Sequence, residues 1–453
     1  MNKFHFNNTM TDIKDKLKHL KKEREARSKT QQIKDTWSKL DNEKVLSTKE
    51  KLEQLITLTR REKSPSPQTP QLEPQEREPL QFTQNPFNLE TRYGKITISS
   101  GLKISGDILA CLSKDETFRN LDLSTALFID LETTGLSGGT GTIPFNVGMG
   151  YYKDDKFWVA QYFLGDLAEE ERMLQEMAQF FEEMNFQSLV TYNGKNFDIP
   201  LLETRYILCR QPFPLSDLPH LDFMYPARNL WRHKYDNCRL SHLAQEVVRT
   251  GRTEDIPSSE VPWRYFQYLQ TGNYDLIEPI LYHNQEDILS LLGVVIAGAS
   301  IFVEEGEECL PDAMDLFGAG RVMEKLGDTE KSVQFFQKAL DGDLTDDVTA
   351  LAKMKLSHYF KKNQEWDKAV AIWRGITSLE DISAMHLFSF RELAMYLEHR
   401  EKNYEEARNI SEEGYVLSRG VSSYYEKDFV HRRARLKEKL NKQSENKSKQ
   451  SAK

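Results

Sequence analysis

Residues 126–139 read ALFIDLETTGLSGG. The apolar run Ala126-Leu127-Phe128-Ile129 looks like a buried strand, yet it ends in two acids, Asp130 and Glu132. Two threonines and a glycine-rich turn follow. A carboxylate is costly to remove from water unless it is paired or coordinates a metal. Alternation along a strand places Asp130 and Glu132 on one face, about 7 Å apart along the backbone. At that separation they can share divalent cations, and hard cations such as Mg²⁺ take oxygen ligands. A lone acid-x-acid pair is common on surface strands, so the rest of the chain has to decide between a surface pair and a metal site.

Two later stretches bear on that choice. VTYNGKNFDIPLL (190–202) puts Asp198 after an apolar strand and a polar turn, where a helix starts. Helix N-capping would also explain an aspartate there. LYHNQEDILSLL (281–292) puts Asp287 in an amphipathic helix, just before Ile288-Leu289 and one helical turn after His283. A solvent-facing acid is the alternative, and it suits the neighbouring Glu286 better.

Taken in order, FIDLETTGL, YNGKNFDIPLL and HNQEDILSLL resemble the three motifs of the DEDD exonucleases, a superfamily with a ribonuclease-H-like fold. The ordered set is more specific than any one motif, and the resemblance covers roughly 126–300. The longer pattern of DLETTGLSGGTGTIPFNVGMGYY, LDFMYPAR and DIPSSEVPWRYFQYLQTGNYDLIEPILYHNQED is similar to the YprB-like branch of bacterial ribonuclease-H-like proteins, which often carries helical repeats after the nuclease domain. The resemblance implies that Asp130, Glu132, Asp198 and Asp287 are the metal-binding carboxylates of a two-metal site for Mg²⁺ or Mn²⁺. It also implies hydrolysis of nucleic acid, RNA or DNA, with 3'-to-5' exonuclease action on single strands. In the superfamily a tyrosine four residues before the last aspartate, or a histidine five before, assists the water. Here the types are exchanged, with Tyr282 five before and His283 four before. His283 shares a helix face with Asp287 and is the expected catalytic group. Tyr282 is turned away and is expected to face the domain interior. Two competing readings are a nucleic-acid-binding module without catalysis and a helical-repeat interaction scaffold.

Around this centre the chain divides by texture. Residues 1–61 form a Lys/Glu/Arg/Gln-rich arm, helical or disordered, and 62–90 a Pro/Gln/Glu-rich linker. Residues 91–305 form the ribonuclease-H-like α/β domain. Its expected elements are a hairpin near YGKITISSGLKI, a strand from 126, two strands in 143–165 around a Lys-Asp-Asp-Lys turn, a helix over 167–184, a strand over 188–193 and a helix over 198–210. Residues 306–420 read as helices only. Aligning Ser332, Ala369 and Ala407 superposes three similar segments at a spacing close to that of a tetratricopeptide repeat, so an all-α helical-repeat domain with a possible protein partner is expected. Residues 421–453 read as a basic, solvated tail.

The net charge of -9 argues against broad coating of nucleic acid, so metal ions would have to supply the local positive charge. The cysteines, Cys111, Cys209, Cys238 and Cys309, form no CxxC pair. They suggest neither zinc nor a disulfide framework, and with no apolar signal core at the N-terminus a cytoplasmic location is expected. The longest apolar run, LLGVVIAGASIFV (291–303), is too short for a membrane and reads as a buried helix. GLSGGTGT lacks the Lys-Ser/Thr of a P-loop. Asn193, Lys195 and Asn196 are candidates for substrate contact or for turn formation. Asp222 is expected to be structural, and His220, His233 and His242 form no zinc pattern. Trp231, Trp263 and Tyr265 either stack on bases or pack in the core.

Overall fold

A computed structural model of the chain describes residues 78–135, 140–251, 256–303 and 311–451. The arm expected over 1–61, most of the linker and Cys309 lie outside them. Leu80–Asn88 form β1, so the linker expected over 62–90 ends earlier than its composition suggests. The hairpin that follows is short, β2 (Arg92–Tyr93) and β3 (Ile96–Thr97), and runs into a turn of 3-10 helix. Next come α1 (Gly106–Ser113), β4 (Ala126–Thr133), β5 (Pro144–Lys153), β6 (Lys156–Leu164), α2 (Glu170–Met184), β7 (Ser188–Thr191), α3 (Asp198–Leu208) and β8 (His220–Asp222). The strands expected over 143–165 and 188–193 and the two helices after them are therefore present.

The sheet has the order β1-β6-β5-β4-β7-β8. The first four neighbours pair antiparallel, while β4-β7 and β7-β8 are parallel. Leu127 and Ile129 of β4 pack into one apolar layer, with Met173 and Met177 of α2. Ala126 and Phe128 pack into the other, with α7 (Glu278–Ser300). Before α7 come α4 (Met224–Trp231), α5 (Leu240–Leu243, continued by a π-helical turn) and α6 (Val261–Thr271). From Ile288 to Ala299 every residue of α7 is buried, as the apolar run predicted. No helix among the described residues is long and apolar enough to cross a membrane.

The close approach of α7 to the sheet depends on two glycines of β5, which share a face by strand alternation. A Cβ on Gly148 would lie 2.0 Å from Asn284 Oδ1, and one on Gly150 would lie 2.6 Å from Ile288 Cγ2.

After residue 311 the chain is all helical. α8 (Ala313–Leu326) and α9 (Thr329–Leu340), α10 (Asp346–Lys362) and α11 (Trp366–Thr377), and α12 (Leu387–Tyr396) and α13 (Tyr404–Ser418) form successive pairs, closed by α14 (Ser423–Ser451). Ser332, Ala369 and Ala407 each occupy the fourth position of the second helix of a pair, and each is buried. A small residue there lets the paired helix approach. The start of the segment expected as a solvated tail is instead packed: Phe429, Arg432 and Leu436 of α14 are buried, while 441–446 are exposed.

Candidate nuclease centre

The five side chains singled out from the sequence line one cavity of about 270 Å³. Asp130 and Glu132 come from β4, Asp198 from the start of α3, and His283 and Asp287 from α7. Phe128, Asp130 and Glu132 share the sheet face that α7 covers, so strand alternation aims both acids at the helix. Strands β4 and β7 are parallel neighbours, and the turn after β7 delivers Asp198 beside the end of β4. Carboxyl ends of parallel strands are where such folds open a crevice. A register shift between Glu132 and Thr133 ends the regular pairing of β4 there.

His283 Nε2 lies 3.2 Å from Asp287 Oδ2 and 3.8 Å from Glu132 Oε1. Tyr282 does not face the domain interior as its register suggested. It is 56% exposed, because α7 turns its preceding residue outward when His283 faces the cavity.

Burial pushes the Asp130 carboxyl well above its ordinary range, reinforced by the charges of Asp287, Asp198 and Glu132, while a hydrogen bond from Asn284 opposes the rise. Burial likewise raises Asp198 to about 7, against backbone hydrogen bonds from its own amide and that of Leu131. No Lys or Arg among the described residues lines this cavity.

The donor set fits hard divalent cations: four carboxylates, two of them held above their normal pKa by burial and in one case by mutual repulsion. A further observation agrees. Asn146 stands opposite Glu132 in the β4-β5 register, so its fully buried side chain projects to the same face, yet both of its amide atoms lack a hydrogen-bond partner. Among the described residues, however, no three His, Cys, Asp or Glu side chains are drawn together as tightly as a formed metal cage. The carboxylates share a cavity rather than a closed coordination sphere.

Sequence reasoning missed the groups that position these acids. Asn284 is buried beside His283. Its Nδ2 donates to Asp130 Oδ2 at 2.9 Å and its Oδ1 accepts from Gln161 Nε2 at 2.9 Å, while the same Gln161 nitrogen reaches Leu281 O at 2.8 Å. The only signal was a polar residue, Gln161, inside an otherwise apolar strand. Asp222 is structural, as expected: its carboxylate accepts from the amides of Asn193 (2.7 Å), Lys195 (3.1 Å) and Met224 (3.2 Å), fixing the turn that leads to Asp198. Asn193 holds φ +70° there, and Asn196 donates to Tyr225 Oη at 3.0 Å. Trp231 and Tyr265 are core residues, whereas Trp263 is exposed. His220 Nε2 pairs with Thr191 Oγ1 at 2.7 Å. The glycine-rich loop lies partly outside the described residues.

The mixed sheet, with acids at the end of its central strand and on the helix across its face, defines a ribonuclease-H-like domain. The RNase_H superfamily family model matches residues 127–297, from the start of β4 to near the end of α7. Over 330 residues the chain is 29% identical to a Bacillus subtilis (strain 168) protein described as uncharacterized protein YprB, covering 72% of this chain and 78% of that relative. The chain thus has a ribonuclease-H-like fold with an all-helical C-terminal region, and it resembles that relative over most of its length.

Proposed function

We propose that the chain is a metal-dependent nuclease that hydrolyses phosphodiester bonds of nucleic acid, acting as a 3'-to-5' exonuclease on single strands. The carrying observation is the meeting of Asp130, Glu132, Asp198, Asp287 and His283, drawn from three distant segments, in one cavity. Two divalent ions, Mg²⁺ or Mn²⁺, would be held by the four carboxylates and would supply the positive charge that draws in phosphate and activates water. The protein's own groups do the rest. Asn284 and Gln161 keep the Asp130 carboxylate aimed into the cavity. The His283 imidazole, oriented by Asp287, takes a proton from the attacking water or orients it. Phe197, 52% exposed on the cavity lining, offers a face for a terminal base to stack on.

The helix pairs beyond 311 are read as tetratricopeptide-like repeats that bind a protein partner. Their three small-residue positions at equivalent places support that reading.

The test is cleavage of labelled single- and double-stranded RNA and DNA with Mg²⁺ or Mn²⁺ by wild type and Asp130→Asn. Metal-dependent shortening from the 3' end by wild type alone is expected. Binding without cleavage by the wild type would make the domain a recognition module instead.

A further inference from the structure

A second concavity adjoins the turn that delivers Asp198, with Lys195 and Asp222 in its lining. It has a volume of about 540 Å³, enough for a nucleotide-sized group. Five cationic side chains line it: Lys114 after α1, Lys195 in the turn, Arg228 in α4, Arg232 just after it, and Lys325 in α8. All five are exposed, and among the described residues none is ion-paired to a carboxylate within salt-bridge distance. The two acids present are Asp222, whose oxygens are occupied by the backbone amides of the turn, and Asp236. In a chain of net charge -9, this is a local reversal of sign. Tyr225 and Tyr235 add aromatic faces to the same lining.

The cations are close enough to disturb one another. Burial lowers Lys325, and so do the charges of Arg321, Lys114 and Arg232; the Lys325 ammonium donates to Asn229 Oδ1. Arg321 lies behind the cavity and donates to Asn229 O at 3.2 Å. Burial, with the charge of Arg232, lowers it to about 10. Cations of one sign lining a concave site focus the field there and concentrate anions.

We propose that this cavity is a second phosphate-binding site, which takes the sugar-phosphate backbone of the nucleic acid strand whose end lies at the carboxylates. The proposal rests on the nuclease reading for the identity of the strand. It also answers a problem that reading leaves. The carboxylate cavity carries no Lys or Arg among its described lining, whereas the cationic cavity offers five such side chains to the backbone of a strand. The turn 193–197 connects the two places: Lys195 lines the cationic cavity and Phe197 the acidic one. Lys325 comes from α8, so the first helix of the C-terminal region would contribute directly to substrate binding.

The experiment measures fluorescence anisotropy of labelled 12-nucleotide DNA and RNA strands with the full chain, in an Asp130→Asn background with Mg²⁺, across a salt series. Arg228→Gln with Arg232→Gln is compared with Lys338→Gln with Lys362→Gln, which removes the same charge from exposed faces of α9 and α10. The arginine pair is expected to weaken binding about tenfold and to flatten the salt dependence by roughly two charge contacts, leaving the lysine control near the parent. Equal binding by all three, or equal loss in both double variants, overturns the proposal. Displacement of the strand by inorganic phosphate or a mononucleotide at equal phosphate concentration assigns the cavity to a small free ligand and overturns it too. The nuclease reading fails separately. A wild type that cuts no nucleic acid, with binding still lost in the arginine variant, removes the catalysis and keeps the site.

Discussion

At the scale of single residues, the site is a set of charges held where water would not leave them apart. Asp130 and Asp198 have folded-state pKa values above their ordinary range, Asp198 at about 7. Folding therefore binds protons at these groups. Below the ordinary carboxylate pKa they cost nothing, and stability is lost as pH climbs from about 4 through 7. In EDTA the wild type should melt progressively lower across that range. Asp130→Asn should melt higher than wild type near neutral pH, and added Mg²⁺ should narrow the gap. A melting temperature independent of pH from 5 to 8 would remove the repulsion argument. His283 and Tyr282 give the second residue-scale prediction. His283→Ala should lower turnover about 10²-fold or more with little change in binding, because its ring reaches Asp287 and Glu132. Tyr282→Phe should turn over like wild type, because its phenol points to solvent. Single-turnover rates check both, and a dead Tyr282→Phe would transfer the role to the tyrosine.

At the scale of elements, two helices depend on contacts that their own periodicity does not announce. α7 reaches the sheet only because Gly148 and Gly150 leave room, and this puts Asn284 against Asp130. α14 is held by Glu398, which sits in the π-helical turn after α12. Burial alone would raise the Glu398 carboxyl, but hydrogen bonds from Arg435 and Lys439 and the Arg435 charge hold it down at about 2. Arg432, itself buried, donates to the same carboxylate at 2.9 Å. A folded pKa below the unfolded value stabilises above pH about 4.5, and that contribution is lost as pH falls toward 2. Glu398→Gln should cost about 2–3 kcal/mol at pH 7 and much less near pH 2, read by urea titration at both values. The basic composition of 421–453 was plain in the sequence. That it forms a docked helix was not, because its acceptor lies in a different helix about 35 residues earlier in the chain, a separation typical of one helical pair.

At the scale of the molecule, the helical region is not simply appended. Ala319 and Val322 of α8 join the same apolar layer as Phe223, Leu230 and Trp231. A Cβ on Gly318 would lie 2.2 Å from Leu230 O, so the helix touches the chain's backbone. Trp231 Nε1 donates to Asp315 Oδ1 at 3.0 Å, and Lys234 Nζ bridges Asp312 and Asp315 at 2.6 and 2.8 Å. A cut between the regions near 305 therefore strips a face from the α/β domain. Chains ending at residue 303 should melt several degrees below chains ending at 341, which keep α8 and α9. Equal melting temperatures, with equal solubility, would show that α8 contributes nothing to that core.

Sequence alone determined the things that short-range pattern controls. The alternation of Ala126 to Glu132 set a strand with two acids on one face. The order of three acidic segments carried the resemblance to ribonuclease-H-like proteins, and the recurrence of Ser332, Ala369 and Ala407 set the helix pairs. Tertiary structure decided whatever depends on contact between segments far apart in the chain. Leu80–Asn88 looks like linker because its order comes from pairing with β6, across about 80 residues of intervening chain. Asn284 became the partner of Asp130, Asn146 an orphan beside Glu132, and five scattered cations one cavity only once the sheet and helices had packed. A polar side chain carries no mark in the sequence of the partner that folding will bring to it, and burial without a partner is what makes that choice energetically decisive.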